Sequence, residues 1–302
     1  MSDDLATFVP GPEELAERLA AVDYLADEGL ATSLYLALAL PQPLLLEGEA
    51  GVGKTEAAKA LAQILDTPLI RVQCYEGIDS AEVLYEWNYP RQLLRIRMAE
   101  ASSAELSENE LFSDEYLVRR PLLRAIEHPG PRPAVLLIDE LDRADDDFEA
   151  FLLELLAEAS LTIPELGTIQ AAHPPIVVLT SNRTRDLHDA LKRRCLYHWI
   201  DYPSPERETD IVRRRVPDAA PQLAGDVASA VRRLRAQDIQ KPPGIAEAID
   251  WVAALRVLGV QRLDEPAVRR TLGAVLKYRE DQDQVRAQGL SALLPAGADD
   301  GD

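Results

Sequence analysis

Apolar runs and helical stripes divide the chain into two kinds of territory. The run Pro43-Leu44-Leu45-Leu46 predicts a buried strand, as do Val135-Leu136-Leu137-Ile138 and Ile176-Val177-Val178-Leu179-Thr180. Unbroken apolar runs of this length are what strands covered on both faces show. Residues 69–74 (Leu-Ile-Arg-Val-Gln-Cys) form a further strand candidate rich in branched side chains, and Leu161–Ile163 and Thr168–Gln170 flank Pro164-Glu165-Leu166-Gly167 as a hairpin signal. Between them lie helical stripes: Leu15, Leu19 and Val22, then the Ala/Leu-rich stretch from Leu30 to Leu40, which Pro41 and Pro43 end. Glu56–Leu65 carries no breaker, and Phe148, Phe151, Leu152, Leu155 and Leu156 recur at helical spacing.

Past Pro203 the strand signals stop. Residues 206–216, 226–236, 245–258 and 266–279 read as helices, with Val268, Leu272 and Leu276 on one face. Pro203, Pro205 and the turn Lys241-Pro242-Pro243-Gly244 punctuate them. The pattern predicts an α/β domain over residues 1–203, with an open, mainly parallel central sheet and its ligand at the carboxyl ends of the strands. A small all-helical domain over 204–296 and an acidic tail at 297–302 complete it.

At 302 residues and 47% hydrophobic composition, such a pair of domains has ample core. The two cysteines, Cys74 and Cys195, sit in or beside apolar runs and read as buried free thiols of a reducing compartment. No apolar run approaches the ~18 residues of a membrane span, and the N-terminus is acidic, so the expected location is cytoplasmic. The net charge of −20, from 52 acidic and 32 basic residues, argues against non-specific nucleic-acid binding, which draws its affinity from neutralised phosphates. It disfavours a DNA or RNA motor without excluding a basic pore hidden inside a ring.

Candidate chemistry begins directly after the first strand. Gly48-Glu49-Ala50-Gly51-Val52-Gly53-Lys54-Thr55 fits a loop whose backbone N–H groups cradle phosphates. Lys54 would reach the β- and γ-phosphates, and the Thr55 hydroxyl would ligate Mg²⁺. The helix beginning at Glu56 would turn its positive end toward them. Gly48 through Glu56 are therefore the candidate nucleotide-binding residues, and the absence of an Asn-Lys-x-Asp base-reading motif disfavours a small GTPase.

Three further elements suit phosphoanhydride hydrolysis. Asp139-Glu140 closes an apolar strand: Asp139 fits the metal and Glu140 the orientation or deprotonation of water. The plainer reading is a strand ending in a solvated acidic turn. Asn182, at the tip of the last core strand, can hold the attacking water, or simply form a turn. Arg193 and Arg194 either favour the end of a helix dipole or supply an arginine finger that offsets γ-phosphate charge in a neighbouring subunit.

Together these residues resemble an AAA+ ATPase, and more narrowly the MoxR family. The resemblance rests on Gly48–Thr55, on Leu137-Ile138-Asp139-Glu140-Leu141-Asp142-Arg143-Ala144 and on Ala190-Leu191-Lys192-Arg193-Arg194-Cys195. Cys74–Gly77 with Leu84–Pro90, Cys195–Pro203 and Pro243–Trp251 are similar to the CoxD-type branch. The resemblance spans about residues 12–285. It implies an ATP-binding, Mg²⁺-dependent ring, usually of six, with sites between subunits and a helical lid. It further implies a chaperone-like remodeller with a von Willebrand A domain partner and a metalloenzyme client. For the CoxD-type branch that client is carbon monoxide dehydrogenase or a related molybdenum hydroxylase. It makes Arg194 the better finger and Arg193 the second.

One departure stands out. Many family members carry a Ser-Pro-Arg lid signature whose arginine contacts the γ-phosphate, whereas the matching turn here is Pro242-Pro243-Gly244; Lys241 and Arg235 are the candidate substitutes. The long segment between the second strand and Asp139 holds the family's insert, near residues 75–115. Its Tyr85, Trp87 and Tyr89 read either as an apolar grip on a client or as ordinary packing. Two other functions stay open: a nucleotide-gated assembly scaffold whose turnover is incidental, and a nucleic-acid-directed ATPase.

Overall fold

The computed structural model describes residues 9–40, 42–102 and 106–294. The expected tail at 297–302, Pro41 and residues 103–105 of the expected insert lie outside them. The chain divides into two compact units, which are taken separately below.

The first unit holds the described residues up to Val22, Ala26–Glu47 and Thr55–Trp199. It opens with α1 (Pro12–Ala21) and α2 (Glu28–Ala39), the latter capped by Asp27, whose carboxylate accepts from Leu30 N at 2.7 Å. Strand β1 (Leu44–Gly48) leads through the glycine loop to α3 (Lys54–Leu65) and β2 (Leu69–Gln73). Next come α4 (Ser80–Leu84), β3 (Tyr85–Trp87), α5 (Tyr89–Ser102), α6 (Glu108–Leu111), β4 (Leu117–Arg119) and α7 (Pro121–Ile126). Then come β5 (Val135–Asp139), α8 (Asp146–Glu158), the hairpin β6 (Ser160–Ile163) and β7 (Gly167–Gln170), β8 (Ile176–Ser181), α9 (Asp189–Lys192) and β9 (Leu196–Ile200).

The central sheet runs β2-β5-β8-β1-β9, with β2/β5, β5/β8 and β8/β1 parallel. Every residue of β1, β5 and β8 is buried, as their unbroken apolar runs require. Register then places the polar ends. Gln73 pairs with Asp139, and Ile138 with Leu179, so Asp139 ends its strand beside Thr180. Strand β9 was not expected: Leu196-Tyr197-His198-Trp199-Ile200 mixes polar and apolar residues, and only Ile200 is fully buried.

The aromatic cluster Tyr85, Trp87 and Tyr89 had two readings open. β3 and β4 pair antiparallel across a long sequence gap, bringing Trp87 opposite Leu117. Trp87 is 5% exposed and packs edge-on to Phe112, with ring centroids 5.2 Å apart. Packing is therefore the reading that holds for Trp87, while Tyr89 remains exposed. Replacing Trp87 by Ala would cost about 3–5 kcal/mol of core stability, so it cannot serve as a clean probe of client binding.

The second unit holds Asp23–Leu25, Gly48–Lys54 and the chain from Ile200 onward. Its helices are α10 (Pro205–Arg215), α11 (Pro221–Arg235), α12 (Ile245–Val257), α13 (Glu265–Val275) and α14 (Arg279–Gln288). Prolines stand in the first turns of α10, α11 and α13, where the missing N–H costs nothing. Trp251, fully buried, anchors the core, and its indole N–H reaches Thr271 Oγ1 at 2.7 Å. The helix expected over 266–279 ends earlier, at Val275, and the next begins only at Arg279. Leu276 is extended (φ −111°, ψ 119°) yet 1% exposed, so the apolar stripe survives while the chain turns into α14. Among the described residues no helix is long and apolar enough to cross a membrane.

Candidate active site

The glycine loop belongs to the second unit. A Cβ at Gly48 (φ 154°) would collide with the carbonyl of Ile200, so that position tolerates only glycine. Lys54, 7% exposed, closes the loop on itself: its ammonium donates to Gly48 O and Glu49 O, both at 2.7 Å. Glu49 and Ala50 are exposed on the loop, and Val52 is buried beneath it.

Thr55, the next residue, belongs to the first unit together with the carboxylates. Asp139 is 2% exposed and crowded with donors. Thr180 Oγ1 donates to its Oδ1 at 2.5 Å and Thr55 Oγ1 to the same oxygen at 3.0 Å; Arg71 Nη2 reaches Oδ2 at 2.5 Å. Thr55 and Asp139 thus lie side by side, a hydroxyl and a carboxylate, the oxygen donors Mg²⁺ favours. This donor set fits the ion, which when bound would offset charge developing on transferring phosphate oxygens.

Glu140 departs from the strand. Its backbone is left-handed (φ 55°, ψ 49°), a conformation that costs a non-glycine residue about 1–3 kcal/mol and that clusters at functional sites. Its N–H donates to Thr180 Oγ1 at 2.9 Å, so one hydroxyl ties both acidic residues to β8. Its carboxylate accepts from Gln73 Nε2 at 3.1 Å and pairs with Arg143 Nε at 3.0 Å. Glu140 is only half-buried, hence accessible where Asp139 is not.

Asn182 follows β8, and its main-chain N–H donates to Asp142 Oδ1 at 3.1 Å. Its side-chain amide has no partner among the described residues. Asp142, 3% exposed, also accepts from Thr184 N at 2.9 Å and Thr184 Oγ1 at 2.6 Å. Burial pushes the Asp142 carboxyl up, but the Thr184 and Asn182 donors outweigh it and hold the group below its ordinary range. Arg193 and Arg194, just past α9, are exposed. Arg194 Nη1 donates to Leu153 O at 2.5 Å, whereas Arg193 has no side-chain partner among the described residues.

The structure therefore brings Thr55, Asp139, Glu140 and Asn182 to neighbouring strand ends and leaves the arginine pair on the surface. Arg71, Gln73, Thr180 and Asp142 were missed by sequence reasoning. For Gln73, Thr180 and Asp142 the available signal was a position at or just beyond the polar end of a strand; Arg71, in the middle of β2, gave none.

Arg235 cannot serve as a lid sensor. Its guanidinium is 10% exposed and bound bidentately to Glu208 at 2.7 and 2.9 Å. It also donates to Pro243 O at 2.7 Å and stacks over the Tyr202 ring, 4.2 Å from its centroid. Both cysteines are free, with burial pushing each thiol up to about 12.

A glycine loop between strand and helix, with a hydroxyl beside a buried strand-end aspartate, defines a phosphate-loop ATPase. The sequence profile of the AAA domain (dynein-related subfamily) matches residues 43–195. The chain belongs to that family, and within it is a MoxR-family AAA+ ATPase that uses ATP with Mg²⁺.

Protein NorQ of Paracoccus denitrificans is 26% identical over 263 residues, covering 84% of this chain and 86% of NorQ. Denitrification regulatory protein NirQ of Pseudomonas aeruginosa is 23% identical, over 72% of this chain and 76% of NirQ. Protein CbbQ of Hydrogenophilus thermoluteolus is 24% identical, over 56% of this chain and 57% of CbbQ. Among solved structures, a mutant of Thermotoga maritima RuvB aligns with a TM-score of 0.48 and 18% identity, over 94% of this chain and 81% of that one.

Proposed function

We propose that this ATPase is a chaperone-like remodeller that drives maturation of a metalloenzyme, with carbon monoxide dehydrogenase or a related molybdenum hydroxylase as the client class. The observation that carries the catalytic part is the pairing of a closed carboxylate with an open one. Asp139 is buried and bonded to Thr55, while Glu140, turned by its left-handed backbone, stays half-exposed. In this reading the loop amides and Lys54 bind the triphosphate, and Thr55 with Asp139 holds Mg²⁺. Glu140 orients and deprotonates water, and Asn182 offers its unpartnered amide to the same water. Arg194, and secondarily Arg193, acts on a neighbouring subunit's site, which suits their exposure and their lack of bonds to Asp139 or Glu140.

A ring, expected to be hexameric, and a von Willebrand A domain partner follow from the MoxR-family resemblance, and a cytoplasmic setting is the expectation from composition. The two free cysteines and the named denitrification regulator among the relatives accord with this reading. Glu140→Gln tests it. MgATP binding should persist while turnover falls about 10²–10⁴-fold, the usual worth of a general base. An affinity pull-down with ATP should then retain client and partner together. Undiminished client maturation by the variant would favour the scaffold function, and turnover stimulated by DNA or RNA would favour the nucleic-acid one.

A further inference from the structure

Within the second unit, the glycine loop is bonded directly to the start of α12. Gly51 O accepts from Ile245 N at 3.0 Å and from Ala246 N at 3.4 Å. These are among the first helical N–H groups, which have no partner inside the helix. The approach is very close: a Cβ built on Gly244, the residue capping α12, would lie 2.7 Å from Ala50 O and 2.9 Å from Gly51 Cα. Gly51 itself adopts φ 76°, and a Cβ there would come within 3.0 Å of Glu247 Oε2. That same oxygen accepts from Gly244 N at 2.9 Å, so Glu247 fixes the turn from inside the helix.

The turn is held from two other sides. Arg235, locked to Glu208, donates to Pro243 O at 2.7 Å, one residue before Gly244. Asp281, 1% exposed on α14, accepts from Gln240 N at 2.8 Å and Lys241 N at 3.1 Å. Three helices therefore converge on a main-chain turn whose outward face is the middle of the glycine loop. So much ordering of one turn against the glycine loop calls for a function of its own.

We propose that the segment Gly244–Glu247 is a positioning element for the phosphate loop, coupling it to the helices through main-chain hydrogen bonds. Gly244 permits the approach, the amides of Ile245 and Ala246 fix the Gly51 peptide, and Glu247 is the positioning side chain. The inference requires only that the loop receives the triphosphate; it is independent of client and partner.

The test uses full-length Gly244→Ala, Glu247→Ala and Glu247→Gln, with Gly225→Ala as control. Gly225 lies in α11 with nothing within 4 Å of an added Cβ. In nucleotide-free protein, Gly244→Ala should lose hydrogen-exchange protection at the Ile245 and Ala246 amides. Its calorimetric Kd for MgATP should rise about tenfold or more. Glu247→Ala should weaken binding likewise, and Glu247→Gln, which keeps an acceptor for Gly244 N, should restore it. A merely structural role would lower the melting temperature and leave the Kd of the folded protein unchanged. Parent-like Kd values in Gly244→Ala and Glu247→Ala overturn the proposal. Should Gly244→Ala fail to fold, identical Kd values for Glu247→Ala and Glu247→Gln overturn it alone.

Discussion

Asp139 and Glu208 are buried to the same depth, at 2% and 1% exposure, one in each unit, yet they are held by different chemistry. Glu208 receives both arms of one guanidinium, and Arg235 is itself 10% exposed, stacked on Tyr202 and bonded to Pro243. Burial pushes the Glu208 carboxyl up against the pull of Arg235. Asp139 shares itself among the hydroxyls of Thr55 and Thr180 and one arm of Arg71, whose side chain is 47% exposed. Hydroxyls rotate, and an exposed arginine can exchange its bond for water. The Asp139 arrangement can therefore change partners without stranding a buried charge; the Glu208 arrangement cannot. The contrast separates a carboxylate whose partners can be exchanged from one that holds a fold together.

The largest test removes Arg235. Arg235→Ala leaves Glu208 buried and unpaired, and should cost about 3–5 kcal/mol in urea denaturation. Arg235→Lys should recover only part, because a single ammonium cannot reproduce a bidentate fork. Arg71→Ala, in the same measurement, should cost about 1 kcal/mol, since Asp139 keeps the hydroxyls of Thr55 and Thr180. If the two alanine variants lost comparable stability, the contrast would fail.

The smallest effect concerns Asp142, whose carboxyl is held below its ordinary range. Between its folded and unfolded pKa values the unfolded chain binds the proton and the folded chain does not. Its contribution is therefore complete above the ordinary value and is lost as pH falls through the folded one. Thermal melts should show the parent losing stability on acidification below about pH 4, with a shallower slope for Asp142→Asn in that window.

Much of the fold was legible because both-face burial writes itself into composition. The runs at β1, β5 and β8 needed no partner to be recognised, and each ends at a polar residue that sits in or beside the site. The phosphate loop was legible for the same reason: its glycines, Lys54 and Thr55 are demanded by local backbone and side-chain chemistry. β9 was not, because Tyr197 is exposed and only Ile200 is fully buried, so no period announces it. Nor was the β3–β4 pairing, which joins residues far apart in sequence and turns Trp87 inward. Arg235 showed the same limit, since an arginine's partner is chosen by what the helices bring near it.

The sequence by itself thus determined the buried strands β1, β5 and β8, the loop and the order of the polar strand ends, all set by neighbours along the chain. Only the tertiary structure decided that Thr180 would tie Asp139 to Glu140, that Arg235 would be spent on Glu208, and that Gly51 would meet the first amides of α12. Each of these depends on register and helix packing, where contacts form between residues that no local pattern links.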